Sequence, residues 1–224
     1  MFGNTQDLTA QEKVTAEWNG MAGEWDDLAG GYSAGFYAKL WEATGLDPCS
    51  LSQGFTVVDF GCGTGLLTAK LRPVCSSVLA IDAAPGMVEI LQDKIRGGEW
   101  ENVKAVTAVL GDLASADESA RQDIEGLYET VDLVVASSVM SLIPAEDMEA
   151  TMKVIGRLLK PAGQFVHSDW PKSEAKHPDA MSEEKALTMY GMGGLQAEST
   201  AIMKMDMGGG PEQPEVFFGV AKKI

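Results

Sequence analysis

From Thr56 to Leu67 the chain reads Thr-Val-Val-Asp-Phe-Gly-Cys-Gly-Thr-Gly-Leu-Leu: a β-branched run, an acid, glycines at 61, 63 and 65, then an apolar helix start. Glycine at every second position lets a ligand come close to the backbone. The third glycine of a dinucleotide fingerprint would fall at Leu66, and no Lys-Ser or Lys-Thr follows as in a phosphate-binding loop. Asp59, inside the motif, would repel a pyrophosphate but suits a ligand that carries an ammonium group. Asp82 stands twenty-one residues beyond Gly61, at the end of the next extended run, where a carboxylate can accept hydrogen bonds from a ribose diol. Candidates for acid–base work are few, because the only histidines are His167 and His177. His167 precedes Asp169 by two residues in an extended run, so the two share a face, and Asp169 lies at the carboxyl end, where open sheets place ligands. Cys62 reads as a small packing residue, not a nucleophile.

The elements that must hold these residues follow from periodicity. Five extended runs, Phe55–Phe60, Val78–Asp82, Val103–Leu110, Val131–Ala136 and Gln164–Asp169, alternate with helical stretches, which predicts crossover connections and a parallel sheet. One helix runs from Thr64 to Pro73; a second starts at Pro85, carries Val88, Leu91 and Ile95 on one stripe and ends at Gly97-Gly98. A third spans Ala145 to Lys160, with Met148, Met152, Ile155 and Leu159 on one face and Pro161 and Gly163 beyond its end. Residues 1–54 predict a helical cap, Thr9–Trp25 and Ser33–Gly45, rich in aromatic side chains. Residues 171–224 predict a helix, Pro178–Tyr190, and two strands, Thr200–Met207 and Glu215–Ala221, joined by Gly208-Gly209-Gly210-Pro211 as an antiparallel pair at the sheet edge. With no linker between these pieces, the chain reads as a single domain with residues 55–170 as its centre.

Five segments in order carry a resemblance: VVDFGCGTG at 57–65, AIDAAPGM at 80–87, GDL at 111–113, VDLVVASSVMSLIP at 131–144 and LLKPAGQFVHSDW at 158–170. The sequence resembles the class I S-adenosylmethionine-dependent methyltransferases, in particular the small-molecule branch akin to the ubiquinone and menaquinone biosynthesis C-methyltransferases. The resemblance implies an α/β, Rossmann-like fold: a seven-stranded, mostly parallel sheet with its last strand reversed, helices on both faces and an N-terminal helical cap. It implies S-adenosylmethionine as cofactor, with Asp59, Gly61, Cys62, Gly63 and Gly65 at its methionine end and Asp82 and Ala83 at the ribose. Met87 would cover one face of the adenine, Asp112 would accept from its amino group beside Leu113, Ser137 would line the methyl-donor pocket, and Trp25 would close over the cofactor.

Displacement of a methyl group from a sulfonium needs alignment and, for weakly acidic acceptors, a base; no metal is required. His167 and Asp169 are the catalytic candidates on the acceptor side. Many relatives carry a histidine where this chain has Ser141 or Leu142, which shifts the expectation toward acceptors that ionise easily or are intrinsically nucleophilic. Six tail methionines, Met181, Met189, Met192, Met203, Met205 and Met207, would suit an adaptable apolar site or simple core packing.

Composition bounds the partners. The chain has 224 residues and a formal net charge of −16 spread along its length. Such acidity disfavours nucleic acid and anionic membrane surfaces, and no apolar run is long enough to span a bilayer. Three cysteines without a CxxC pair predict neither a disulfide framework nor a structural zinc site. The expectation is a cytoplasmic monomer or homodimer acting on a small molecule. Two other readings stay open: an NAD-linked oxidoreductase, and a member of the same fold that binds without catalysing.

Overall fold

The computed structural model describes residues 8–49, 51, 54–172, 180–206 and 213–224. Its strands are β1 (Thr56–Phe60), β2 (Ser77–Asp82), β3 (Val103–Thr107), β4 (Val131–Ser137), β5 (Leu159–Asp169), β6 (Leu195–Lys204) and β7 (Glu215–Lys223). They form one sheet in the order β3-β2-β1-β4-β5-β7-β6. The first five pair in parallel, and β7 runs antiparallel to both β5 and β6, so the last strand alone is reversed. Order reverses between β1 and its neighbours β2 and β4, and a crevice opens at the carboxyl ends there.

Alternate residues of each strand feed opposite layers. Val57, Val78, Leu133, Val135 and Val166 pack against the helices α2 (Trp25–Thr44) and α3 (Leu66–Leu71). On the same side, Ala80 and Ala105 meet Val88 and Leu91 of α4 (Pro85–Gly98). The other face, with Val58, Ile81, Val134 and Phe165, is covered by α5 (Glu118–Glu125), α6 (Ala145–Leu158) and α7 (Glu183–Met192). The N-terminal α1 (Ala10–Met21) differs in kind: a Thr9–Glu12 capping box starts it, and none of its residues is buried.

Several element boundaries depart from the sequence expectation. The cap helices break at a 3-10 turn, Ala22–Glu24, and α2 then runs unbroken through Gly30-Gly31. Burial of Ala29, Tyr32 and Ser33 on the intervening turn outweighs the poor helix propensity of the two glycines. Strand β3 stops at Thr107, so Ala108 and Val109 peel away toward the crevice, and α5 had no counterpart in the sequence reading. α6 ends at Leu158, two residues before the expected Lys160, because Leu159 already pairs with Val131 of β4. The expected Gly208–Pro211 turn, Met207, His177 and the start of the Pro178 helix lie outside the described residues.

Close approach of α6 to the turn after α7 depends on two small residues. A Cβ on Gly156 would lie 2.0 Å from the carbonyl oxygen of Gly193, a backbone atom that cannot swing aside. Gly156→Ala should therefore destabilise the protein by about 1–3 kcal/mol, the range for overpacking, read as a lower urea midpoint at unchanged slope.

Candidate functional site

The turn after β1 is built by three glycines at positive φ, Gly61 (+69°), Gly63 (+53°) and Gly65 (+86°). Each also admits a neighbour that a side chain would displace. A Cβ on Gly61 would meet Val139 Cγ2 at 2.2 Å, one on Gly63 would meet the Trp25 indole nitrogen at 3.1 Å, and one on Gly65 would meet Leu91 at 2.3 Å. Gly61 and Cys62 donate their backbone N–H groups to the Ile81 carbonyl at 2.8 and 3.1 Å. This pins the turn to the end of β2. There Asp82 accepts from the Gly63 N–H and the Ala84 N–H, both at 2.8 Å. Burial pushes the Asp82 carboxyl up, and the backbone N–H groups of Ala84, Gly63 and Ala83 oppose that shift.

Asp59 is 1% exposed. Its carboxylate accepts from the Thr68 hydroxyl at 2.5 Å, and no ion pair reaches it among the described residues. Burial pushes this carboxyl up to about 7 against the pull of Thr68, with the nearby charge of Asp82 adding to the rise. Burial, then the charges of Asp82 and Asp59, also hold the Cys62 thiol well above its usual range, so it is protonated and unreactive.

Two adjoining lobes open above the turn. The first is a cleft with mainly apolar walls. Asp82, Ala83 and Met87 form one wall, Ala108, Val109 and Leu110 a second, and Gln11, Val14 and Trp18 of α1 the roof. The second lies under α2 and is lined by Leu28, Tyr32, Ser33, Asp59, Cys62 and Trp170 among others. Trp18, Trp25, Gly61, Ser137, Ser138 and Leu142 line both. At this shared wall Ser137 Oγ is buried without a hydrogen-bond partner, and Ser138 holds φ +64°, an uncommon conformation for a residue with a side chain.

Trp25 stands over Gly63, edge-on to Trp18 at 4.8 Å. The next residue fixes it there. Asp26 accepts from the Thr64 hydroxyl of the glycine turn at 2.5 Å and from Lys94 of α4 at 2.6 Å, while Lys94 also donates to the Thr64 carbonyl at 2.9 Å. Sequence spacing gave no signal for this latch, which joins residues up to 68 positions apart.

Three expectations from the sequence need correction. His167 and Asp169 are fully buried and line neither lobe. His167 Nδ1 bonds Asp169 at 2.8 Å, its Nε2 bonds the Tyr190 hydroxyl at 2.8 Å, and the ring stacks against Phe165 and Phe217. With β7 laid along β5, both nitrogens are engaged inside the core, and neither group touches the space where an acceptor could sit. Asp169 also accepts from the Ser141 N–H at 2.9 Å, so the pair braces the turn Met140–Leu142 at the mouth of the second lobe. Asp112 is exposed, and with Leu113 is absent from both walls. Its extended conformation (φ −140°, ψ 66°) interrupts the 3-10 turn, and Leu113 packs on the core instead, leaving the wall to Ala108–Leu110. Gly65 serves the packing of α3 against α4 and lines neither lobe. Of the tail methionines, Met181, Met189 and Met205 are core residues, and none of the described ones lines a lobe.

The methyltransferase-domain family matches residues 58–165, the stretch that builds the glycine turn, Asp82 and the shared wall. Residues 58–165 thus carry a methyltransferase-domain match, on a fold shared with S-adenosylmethionine-dependent methyltransferases. Solved proteins that share this fold use S-adenosylmethionine. An uncharacterised methyltransferase of Schizosaccharomyces pombe is 29% identical over 58% of this chain and 46% of its own length. The ubiquinone/menaquinone biosynthesis C-methyltransferase of Klebsiella pneumoniae is 27% identical over 72% of this chain and 61% of its own. The chain thus spans about half to three fifths of the curated relatives it matches. Among solved structures, magnesium protoporphyrin IX methyltransferase from Synechocystis with bound cofactor shares the fold, with a TM-score of 0.68 at 17% identity over 99% of this chain and 100% of that one.

The methyltransferase site residues fit that cofactor on this chain's own terms: a buried carboxylate without a cation, a partnerless serine hydroxyl and a backbone turn open to close contact. The carboxylate has a consequence for the free protein. Asp59 has a raised pKa when folded, so its ionised form opposes folding; the penalty is absent below the unfolded value near 4 and grows as pH rises toward about 7. Asp59→Asn should thus gain stability relative to the parent as pH goes from 4 to 7, read by denaturant unfolding at each pH. A constant difference across that range would contradict the assignment.

Proposed function

We propose that the protein transfers a methyl group from S-adenosylmethionine to a small-molecule acceptor held in the second lobe. The observation that carries this reading is the pair of lobes meeting at one wall, Gly61 and Ser137, so that two ligands can lie end to end across it. In the first lobe Asp82 would take the ribose hydroxyls, its remaining lone pairs facing the cavity beside Ala83. Met87, 1% exposed, and the Ala108–Leu110 segment would sandwich the adenine. Asp59 would supply the counter-charge for the ammonium and sulfonium of the methionine end, with Gly61, Cys62 and Gly63 offering backbone, Ser137 a hydroxyl and Trp25 a lid.

When bound, the cofactor supplies a methyl group already activated on a positive sulfur. The chain's own residues align and dehydrate the reacting pair, which is where most of the acceleration of a displacement between held partners arises. Free cysteines at Cys49, Cys62 and Cys75 support a reducing, cytoplasmic setting, and no helix among the described residues is long and apolar enough to cross a membrane.

The test is cofactor binding. S-adenosylhomocysteine should raise the melting temperature, as a ligand at 100 times its Kd adds about 2.7 kcal/mol, and NADH should not. Asp82→Ala should weaken that binding by about 10- to 100-fold, the loss of charge-assisted hydrogen bonds. Stabilisation by NADH alone would overturn the reading in favour of an oxidoreductase, and unchanged affinity in Asp82→Ala would remove the ribose assignment.

A further inference from the structure

The second lobe has a distinctive inventory. Trp18, Trp25, Tyr32 and Trp170 give it aromatic walls, with Tyr32 and Trp170 at a ring separation of 5.9 Å. Its polar groups are hydroxyls and one carboxylate, Asp59; among the described residues no lysine, arginine or histidine lines either lobe. An acceptor that carries a carboxylate or phosphate would lie there without a counter-charge from the described residues, close to an acid. Among the described residues the lobe is equally poor in groups that could take a proton. The Tyr32 phenol, bonded to Ser168 at 3.1 Å, is pushed up to about 12 by burial. Cys62 is held protonated, His167 and Asp169 are sealed in the core, and Asp59 is engaged by the cofactor in the reading above.

Charge conservation then separates acceptor classes. Transfer to an anion annihilates charge, and transfer to a hydroxyl releases a proton that some base must remove. Transfer to a neutral lone pair does neither: the positive charge moves from the cofactor sulfur to the acceptor atom. Aromatic rings are the surroundings that stabilise such a cation.

We infer that the second lobe is built for an uncharged acceptor that attacks through its own lone pair, a tertiary amine or a thioether of roughly aromatic-ring size, and leaves as an onium ion. This rests on the methyltransferase reading above. In the step, the acceptor lone pair forms the new bond to the methyl carbon while the electrons of the sulfonium carbon–sulfur bond return to sulfur. No proton moves, and no base, metal or oxidant is needed. Trp170 and Tyr32 are specificity residues in this scheme: they are the aromatic residues that line the second lobe and not the first.

The inference separates from the cofactor assignment in one titration series. The protein is first saturated with S-adenosylhomocysteine; absence of that binding refutes the methyltransferase reading itself. The saturated complex is then titrated with trimethylanilinium, with its neutral isostere tert-butylbenzene and with benzoate. Trimethylanilinium should bind about tenfold or more tightly than tert-butylbenzene, the scale of a desolvated cation over aromatic rings, and benzoate should be the weakest. Trp170→Leu should erase the preference for the cation and Trp170→Phe should keep most of it, while both retain parental affinity for S-adenosylhomocysteine as a check on folding. With N,N-dimethylaniline as methyl acceptor, turnover should be level with pH above the pKa of the amine, in the parent and in His177→Ala alike. Equal binding of cation and isostere, tightest binding of benzoate, or a rate that keeps rising with pH would overturn the inference.

Discussion

A carboxyl group held out of water with one threonine to bond it is a costly thing to fold around, and Asp59 is such a group. It stands at the end of the central strand, beside a turn whose three glycines leave the backbone bare. Any ligand that settles on that turn meets the carboxylate, and a cation gains most from doing so. The rest of the site follows from this placement. Asp82 ties the turn to β2 through the Gly63 N–H. The Asp26–Lys94 pair ties the cap to the same turn and sets Trp25 over Gly63. Loss of these supports would leave the acid but not the shape around it.

The far wall depends on a second buried polar assembly. His167, Asp169 and Tyr190 satisfy one another inside the sheet, and Asp169 reaches on to the Ser141 N–H. Gly219 of β7 makes room for the assembly: a Cβ there would lie 2.0 Å from the Tyr190 hydroxyl. Fully satisfied networks of this kind fix one arrangement of their surroundings. Here they hold the 3-10 turn after β4, and with it the mouth of the second lobe, without touching that lobe's contents.

The sequence made the parallel strands, the glycine turn and the spacing of Asp82 legible because each is local: β-branched runs, glycines at fixed offsets and an acid at a strand end speak for themselves. Depth in the sheet is not local. Nothing near His167 announces that β7 will lie along β5, and that contact turns a candidate base into a core residue. Asp112 was legible as an acid in a Gly-Asp-Leu turn, but its exposure and its place off both lobe walls depend on the non-helical break in that turn. The cap helices expected at Thr9–Trp25 and Ser33–Gly45 divide instead at Trp25, because burial of Ala29 and Tyr32 carries α2 through Gly30-Gly31. Ser138 was passed over since serine gives no hint of a left-handed backbone, and the Asp26–Thr64–Lys94 latch joins three separate segments.

The cofactor-free protein should therefore show its main constraint directly in the titration of one residue. Followed by carbon NMR of selectively labelled aspartate, with Asp59→Asn to assign the resonance, Asp59 should titrate near 7 in the free protein, where burial dominates. Addition of S-adenosylmethionine should move that midpoint down by about two units or more, as expected when a cation comes within a few ångströms of a buried carboxylate. A midpoint near 4 in the free protein, or one that does not move when the cofactor binds, would contradict the account.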